Sequence, residues 1–161
     1  MSEDARFEDV PGGARPLRLK AETAEDLTVL SSLLQDAVGT AGEIVWARGR
    51  QRLVLLLNRF RWEDVPAAER AGRSFERVQA ALTIEAVTGV RARGLPPGEP
   101  ETVYSLLAMA FEAGEDGAGT LVLTLAGDGA LAATVECLDV QLADVTRPWQ
   151  ARAKNAPSHD A

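Results

Sequence analysis

One histidine and one cysteine are all that 161 residues supply, and this shortage removes whole classes of chemistry. His159 stands in the closing stretch Ala156-Pro157-Ser158-His159-Asp160-Ala161, and Cys137 stands alone in the body of the chain. A Ser-His-Asp triad needs a placed imidazole, and a structural zinc site needs four Cys or His ligands. Neither can be assembled, so no catalytic residue, metal or cofactor is expected. A single cysteine excludes an intramolecular disulfide and gives no sign of an oxidising compartment. The most apolar stretch, Leu53 to Leu57, falls far short of the ~20 residues that a membrane-spanning helix needs. The acidic start, Met1 to Arg6, lacks the apolar run of a secretory signal. A cytoplasmic protein without membrane contact is the expectation.

Lysine is also scarce, with only Lys20 and Lys154, and arginine carries the positive charge. The net charge of −7 argues against general binding to nucleic acid or anionic membrane. That charge is unevenly spread. From Trp46 to Arg93 ten arginines face five acids, whereas Gly94 to Val145 holds nine acids and neither lysine nor arginine. Solvated faces of opposite sign are the plain reading of such blocks. A face that binds anions or carboxylates is the sharper one.

Hydrophobic periodicity sets the expected fold. Residues 1–15 are polar, contain Pro11-Gly12-Gly13 and show no period, so they read as a flexible arm. Leu17 and Leu19 alternate with Arg18 and Lys20, as in a short strand. Thr23 followed by Asp26 resembles a capping box, and Leu27, Leu30, Leu34 and Ala37 then form the stripe of an amphipathic helix ended by Gly39. Alternation returns at Glu43–Ala47 and Leu53–Phe60, joined through Arg48-Gly49-Arg50 as a hairpin with glycine at the positive-φ position. Residues 62–73 read as an excursion with one helical turn after Pro66. Further strands are expected at 78–86, 104–111, 121–125 and 131–135, the last two joined by Gly127-Asp128-Gly129. Leu138, Leu142 and Val145 then share a face at helical spacing, with Pro148 beyond them.

Seven strands joined by short turns imply an antiparallel sheet. The fold class is α+β: a seven-stranded, mainly antiparallel sheet or barrel with one helix after strand 1 and one C-terminal helix. That element order matches pleckstrin-homology and phosphotyrosine-binding domains, an analogy of order alone. A single domain over 16–149 is expected, followed by a disordered tail at 150–161.

Three blocks carry a family resemblance: Leu34-Gln-Asp-Ala-Val38, Leu57-Asn-Arg-Phe-Arg-Trp-Glu63 and Val135-Glu-Cys-Leu-Asp-Val-Gln-Leu-Ala-Asp-Val145. They resemble bacterial domain-of-unknown-function family 2948, over about Leu17 to Trp149. The resemblance implies a small cytoplasmic single-domain protein and assigns no activity.

Several constellations invite a chemical reading. Cys137, expected between the last strand and the last helix, could be activated by a helix N-terminus. Glu136 and Asp139 oppose that activation, and packing in the interior is the simpler account. Gly114–Gly119 is glycine-rich, but it joins strand to strand, whereas phosphate loops feed a helix. Arg59-Phe60-Arg61-Trp62 interleaves cations and aromatics as single-strand nucleic-acid surfaces do. Strand alternation explains it as well, with Phe60 and Trp62 inward and both arginines in solvent. If a site exists, Arg48, Arg50, Arg52, Asn58, Arg59, Arg61 and Trp62 are its candidates, as a place for an anion or a partner. A non-enzymatic binding or adaptor module with an unknown protein partner, possible also as a homodimer, is the leading expectation. The alternative is a small metal-independent enzyme or binder that acts on an anionic metabolite through the arginine-rich face.

Overall fold

Apolar residues spaced by two build most of the molecule. The computed structural model describes residues 16–146 and the backbone of 149–150. In chain order the strands are β1 (Arg18–Ala21), β2 (Ala37–Thr40), β3 (Ile44–Ala47), β4 (Arg52–Phe60), β5 (Glu76–Ile84), β6 (Val87–Arg93), β7 (Val103–Ala113), β8 (Gly119–Leu125), β9 (Gly129–Val135) and β10 (Val140–Asp144), with a two-residue β11 (Trp149–Gln150). Two short helices interrupt them, α1 (Ala24–Leu33) after β1 and α2 (Val65–Ala71) after β4. Neighbouring strands run β1-β10-β5-β4-β2-β7-β8-β9-β6, all antiparallel. One edge of β4 is taken by β5, and the other is shared by β3 and β2. The fold is antiparallel, sheet-rich α+β, and the sheet is not closed.

Among the described residues ten strands and the short β11 replace the expected seven, and each extra strand has a local cause. The helix stripe does not continue to Gly39: α1 stops at Leu33, Asp36 takes a left-handed φ of 65°, and Ala37–Thr40 become β2. A second missed strand is β6, where Val90 and Ala92 alternate with Arg91 and Arg93. The largest correction concerns the expected C-terminal helix. Residues Val140–Asp144 form β10, inserted between β1 and β5, so the terminal helix on which the pleckstrin-homology likeness rested is replaced. Leu138, Leu142 and Val145 fit a helical stripe by spacing, but Val140 and Leu142 are buried while Gln141 is exposed, which is strand alternation. The arm expected at 1–15 lies outside the described residues, and of the tail expected at 150–161 only the backbone of Gln150 is described.

Some local expectations hold. The Thr23 hydroxyl caps α1 by accepting from the Asp26 N–H at 3.1 Å. The β8–β9 hairpin turns through Gly127 and Asp128 with φ of 77° and 65°. At the β3–β4 turn, however, the left-handed residue is Gln51 (φ 52°), with Arg48–Arg50 in a 3₁₀ turn before it.

One core collects the inward faces of the strands and the Leu27, Leu30 and Leu34 face that begins on α1. A single rung crosses five strands, with Leu19 opposite Leu142, Leu142 opposite Leu82, Leu82 opposite Leu55 and Leu55 opposite Ile44. A smaller cluster of Phe60, Ala68 and Phe75, flanked by Trp62 and Val65, packs α2 against the sheet. The β7–β8 pair is close enough to demand glycine at position 119, where a Cβ would stand 2.4 Å from the Glu112 carbonyl oxygen and 2.7 Å from the Phe111 ring. Gly119→Ala is expected to cost about 1–3 kcal/mol, the usual range for overpacking, as read by urea unfolding. A loss below about 0.5 kcal/mol would show that the pair can separate freely there.

The sheet curls back on itself at the β5–β6 corner. Ala86 adopts a left-handed φ of 57°, and Val87 N–H donates to the Gln51 carbonyl at 2.8 Å. This places the start of β6 against the β3–β4 turn, although β6 stands at the far end of the sheet from β5. Ile44 of β3 and Val90 and Ala92 of β6 come to line one cavity.

Candidate functional site

Along β4 the residues in phase with Leu53, Leu55 and Leu57 face the core, and Arg59 is the next of that series. It is fully buried, contrary to the expected solvent-facing position. Phe60 lies on the opposite face yet is buried too, because α2 and Phe75 cover it. A buried guanidinium must be satisfied, and two carboxylates do so. Asp144, whose side chain is only 4% exposed, accepts from Arg59 Nε at 3.0 Å and Nη2 at 3.1 Å. Glu63 accepts from Nη1 at 2.9 Å and Nη2 at 2.7 Å. Asp144 Oδ2 also accepts the Leu17 N–H at 2.9 Å, tying β1 into the same knot.

The ion pairs extend outward from this knot. Arg61, 11% exposed in its side chain, meets Glu76 and lies 3.5 Å from Asp64. Arg73 grips Asp64 through two bonds of 2.6 and 2.8 Å. Burial works to raise the Glu63 carboxyl, but the hydrogen bonds and charge of Arg59 prevail and hold it below its ordinary value. The Arg73 hydrogen bonds hold Asp64 low in the same way. For Arg59, burial acts to lower the guanidinium, yet its two carboxylates leave it more firmly protonated than usual.

Depressed carboxylates make stability depend on pH with a definite sign. As pH falls, the unfolded chain takes up protons on these groups before the folded one does. Their contribution is complete above the ordinary values of about 3.9 and 4.3 and disappears as pH drops through the lower folded values. Thermal unfolding is expected to be nearly level from pH 7 to about 5 and to decline below about 4. Glu63→Gln should lower the pH 7 midpoint and flatten the acid decline. An acid decline as steep in Glu63→Gln as in the parent would remove Glu63 from this account.

The seven candidate residues do not form one surface. Arg48 and Arg50 sit in the turn before β4, and Arg52, at its start, pairs with Glu85 at 3.1 Å. Asn58, Arg59, Arg61 and Trp62 sit at its other end, about 25 Å away along a nine-residue strand. Trp62 gives its indole N–H to the Gln35 carbonyl at 3.0 Å and packs edge-on against Phe60 at 4.8 Å between ring centroids. Phe60 also meets Phe75, and Arg77 lies over its ring. The aromatic faces are thus engaged within the protein. Cys137 is exposed in the β9–β10 connection rather than packed, because the buried partner there is Leu138.

A concave feature lies elsewhere. Between β3 and β6 runs a cavity of about 360 Å³ lined chiefly by apolar side chains, among them Ile44, Val90, Leu95, Pro96 and Leu131. Among the described residues β3 pairs only with β4, and β6 pairs only with β9. Ile44 of β3 and Val90 and Ala92 of β6 contribute to the lining, and the second edge of each strand pairs with no other strand among the described residues. The seam was missed from sequence because β6 itself was missed. The alternation of Val90 and Ala92 with two arginines was the available signal.

The family model described as a protein of unknown function, DUF2948, matches residues 17–159. The chain belongs to this family. No curated protein and no solved structure matches it. For this member of DUF2948, among the described residues, no helix is long and apolar enough to cross a membrane.

Proposed function

We propose that this protein is a non-enzymatic binding module that accepts an extended polypeptide segment as an added strand in the seam between β3 and β6. One observation carries the reading: β3 and β6, each with one edge free of any strand partner among the described residues, both line an apolar cavity of about 360 Å³. Exposed edges offer backbone donors and acceptors to an incoming strand, while side-chain pockets beside them supply selectivity. The cavity is within the usual size for a ligand site.

The rival, an enzyme or binder using an arginine face, has less support. Arg52, Arg59, Arg61 and Arg73 already hold carboxylates of this chain, and an anion would have to displace them. Sulfate or phosphate at tens of millimolar is expected to leave the melting temperature unchanged, whereas a clear rise would favour the rival.

Ala92→Arg places a long cation into the seam from an exposed position of β6. Stability should change by no more than about 0.5 kcal/mol, as for other exposed positions. Binding of extended peptides, measured by fluorescence anisotropy, should fall at least tenfold. Retained binding in this variant would sink the reading.

A further inference from the structure

Resting on the seam as the binding site, we infer that the segment it accepts is anchored by one tryptophan, whose ring fills the cavity and whose indole N–H donates to the Glu99 carboxylate. The walls come first. Strand β6 contributes Val90 and Ala92, the 95–100 connection contributes Leu95, Pro96 and Pro100, and the buried Leu131 joins them from β9. The connection is pinned: Gly42 N–H donates to the Pro100 carbonyl at 2.8 Å, and the Glu99 carbonyl accepts from the Thr102 N–H at 3.2 Å and hydroxyl at 2.9 Å. A site formed in advance loses little freedom when it binds. Size comes next. An apolar cavity of about 150 Å³ already takes benzene, and this one measures about 360 Å³. A single six-membered ring or a branched aliphatic side chain would leave space that forfeits packing contacts. An indole, the largest ring among the side chains, fills it best.

Polarity then selects among the large side chains. Among the described residues Glu99 is the one ionisable member of the lining, and its exposed carboxylate makes no hydrogen bond or ion pair with them. A buried indole N–H needs an acceptor, and a charged acceptor gives the stronger bond. Phenylalanine brings no donor. A lysine could pair with Glu99 but would have to give up its hydration to apolar walls. Arg91 and Arg93 alternate with Val90 and Ala92 and so project from the other face of β6, where Arg93 donates to the Asp128 carbonyl at 3.0 Å. A second copy of this chain fits poorly as the occupant. Its described tryptophan side chains are already engaged, Trp46 against the core and Trp62 through the Gln35 carbonyl.

The test uses fluorescently labelled Ser-Thr-Val-Trp-Val-Thr-Ser with the full-length protein, beside four versions in which 1-methyltryptophan, phenylalanine, lysine or alanine replaces the tryptophan. The tryptophan peptide is expected to bind about thirtyfold or more tightly than the alanine peptide, the scale of a hot-spot aromatic. It should bind about tenfold more tightly than the 1-methyl version, which keeps the ring and lacks the donor. Glu99→Ala, at an exposed position, should erase the second difference and leave most of the first. Equal binding of all five peptides, abolished by Ala92→Arg, would overturn this inference and leave the seam reading standing. A preference for lysine, or a 1-methyl peptide as tight as its parent, would overturn it in the same way. No binding by any peptide would overturn both. If 3-methylindole alone bound as tightly as the tryptophan peptide, the cavity would belong to a small aromatic molecule and the anchored segment would fall. Dimerisation in sedimentation that Ala92→Arg abolishes would assign the cavity to a second copy and overturn the inference.

Discussion

Arg59→Met is expected to lower the free energy of unfolding by about 3–5 kcal/mol, the scale for removing one partner of a buried ion pair. The reason is the group left behind. Asp144 is almost wholly enclosed and would keep only the Leu17 N–H as a donor. Glu63, one-third exposed, can turn to water and suffers less. A loss of this size corresponds to a fall in melting temperature on the order of 10 °C. Replacing both partners, as Arg59→Met with Asp144→Leu, should recover most of the loss, because an apolar pair of similar shape leaves no buried charge unpaired. Urea denaturation of the two single variants and the double variant measures the coupling directly. A single-variant loss below about 1 kcal/mol would mean that water reaches Asp144.

This knot also shows how much of the candidate site could be read from sequence. The segregation of arginines into 46–93 and of acids into 94–145 is plain in the chain, and it suggested opposed faces. In the fold, β10 brings Asp144 from the acidic segment within reach of Arg59 from the basic one, so part of that segregation is spent inside the protein. No local period announces such a pairing, because it depends on which strand lies beside which. Misplacing β10 as a helix hid it completely. Arg59 also belongs to the odd-numbered face of β4, and counting from Leu53 would have placed it inward. The aromatic-cation alternation drew attention to Phe60 instead, on the other face.

The fold class was legible for a physical reason: alternation and glycine-bearing turns are local, and they dominate 43–60 and 119–135. The strand total was not, since β2 and β6 are short or weakly apolar and depend on partners distant in sequence for their existence. Ala37-Val38-Gly39-Thr40 has no strand period of its own, and it is extended because β7 pairs along all four residues. The seam followed the same logic. Its lining comes from the 41–44 segment, β6, the 95–100 connection and Leu131 on β9, which long-range pairings bring together: Gly42 bonds Pro100, and Ala92 lies opposite Leu131.

The strand identity of β10 leads to the other large expected effect. Leu142→Ala should cost about 2–5 kcal/mol, since Leu142 is 1% exposed and sits in the leucine rung between Leu19 and Leu82. Val145→Ala should change stability by less than about 0.5 kcal/mol, since Val145 is 51% exposed just beyond the strand. A helix over 138–145 would give a different outcome, with Leu138, Leu142 and Val145 all on the buried stripe and both variants costly. Leu82→Ala should match Leu142→Ala in size. Because the two side chains face each other across the rung, their double variant should cost less than the sum, one cavity overlapping the other. Guanidinium unfolding of the four variants reads all of these quantities. Equal, large losses at Leu142 and Val145 would restore the helix and remove β10 from the sheet.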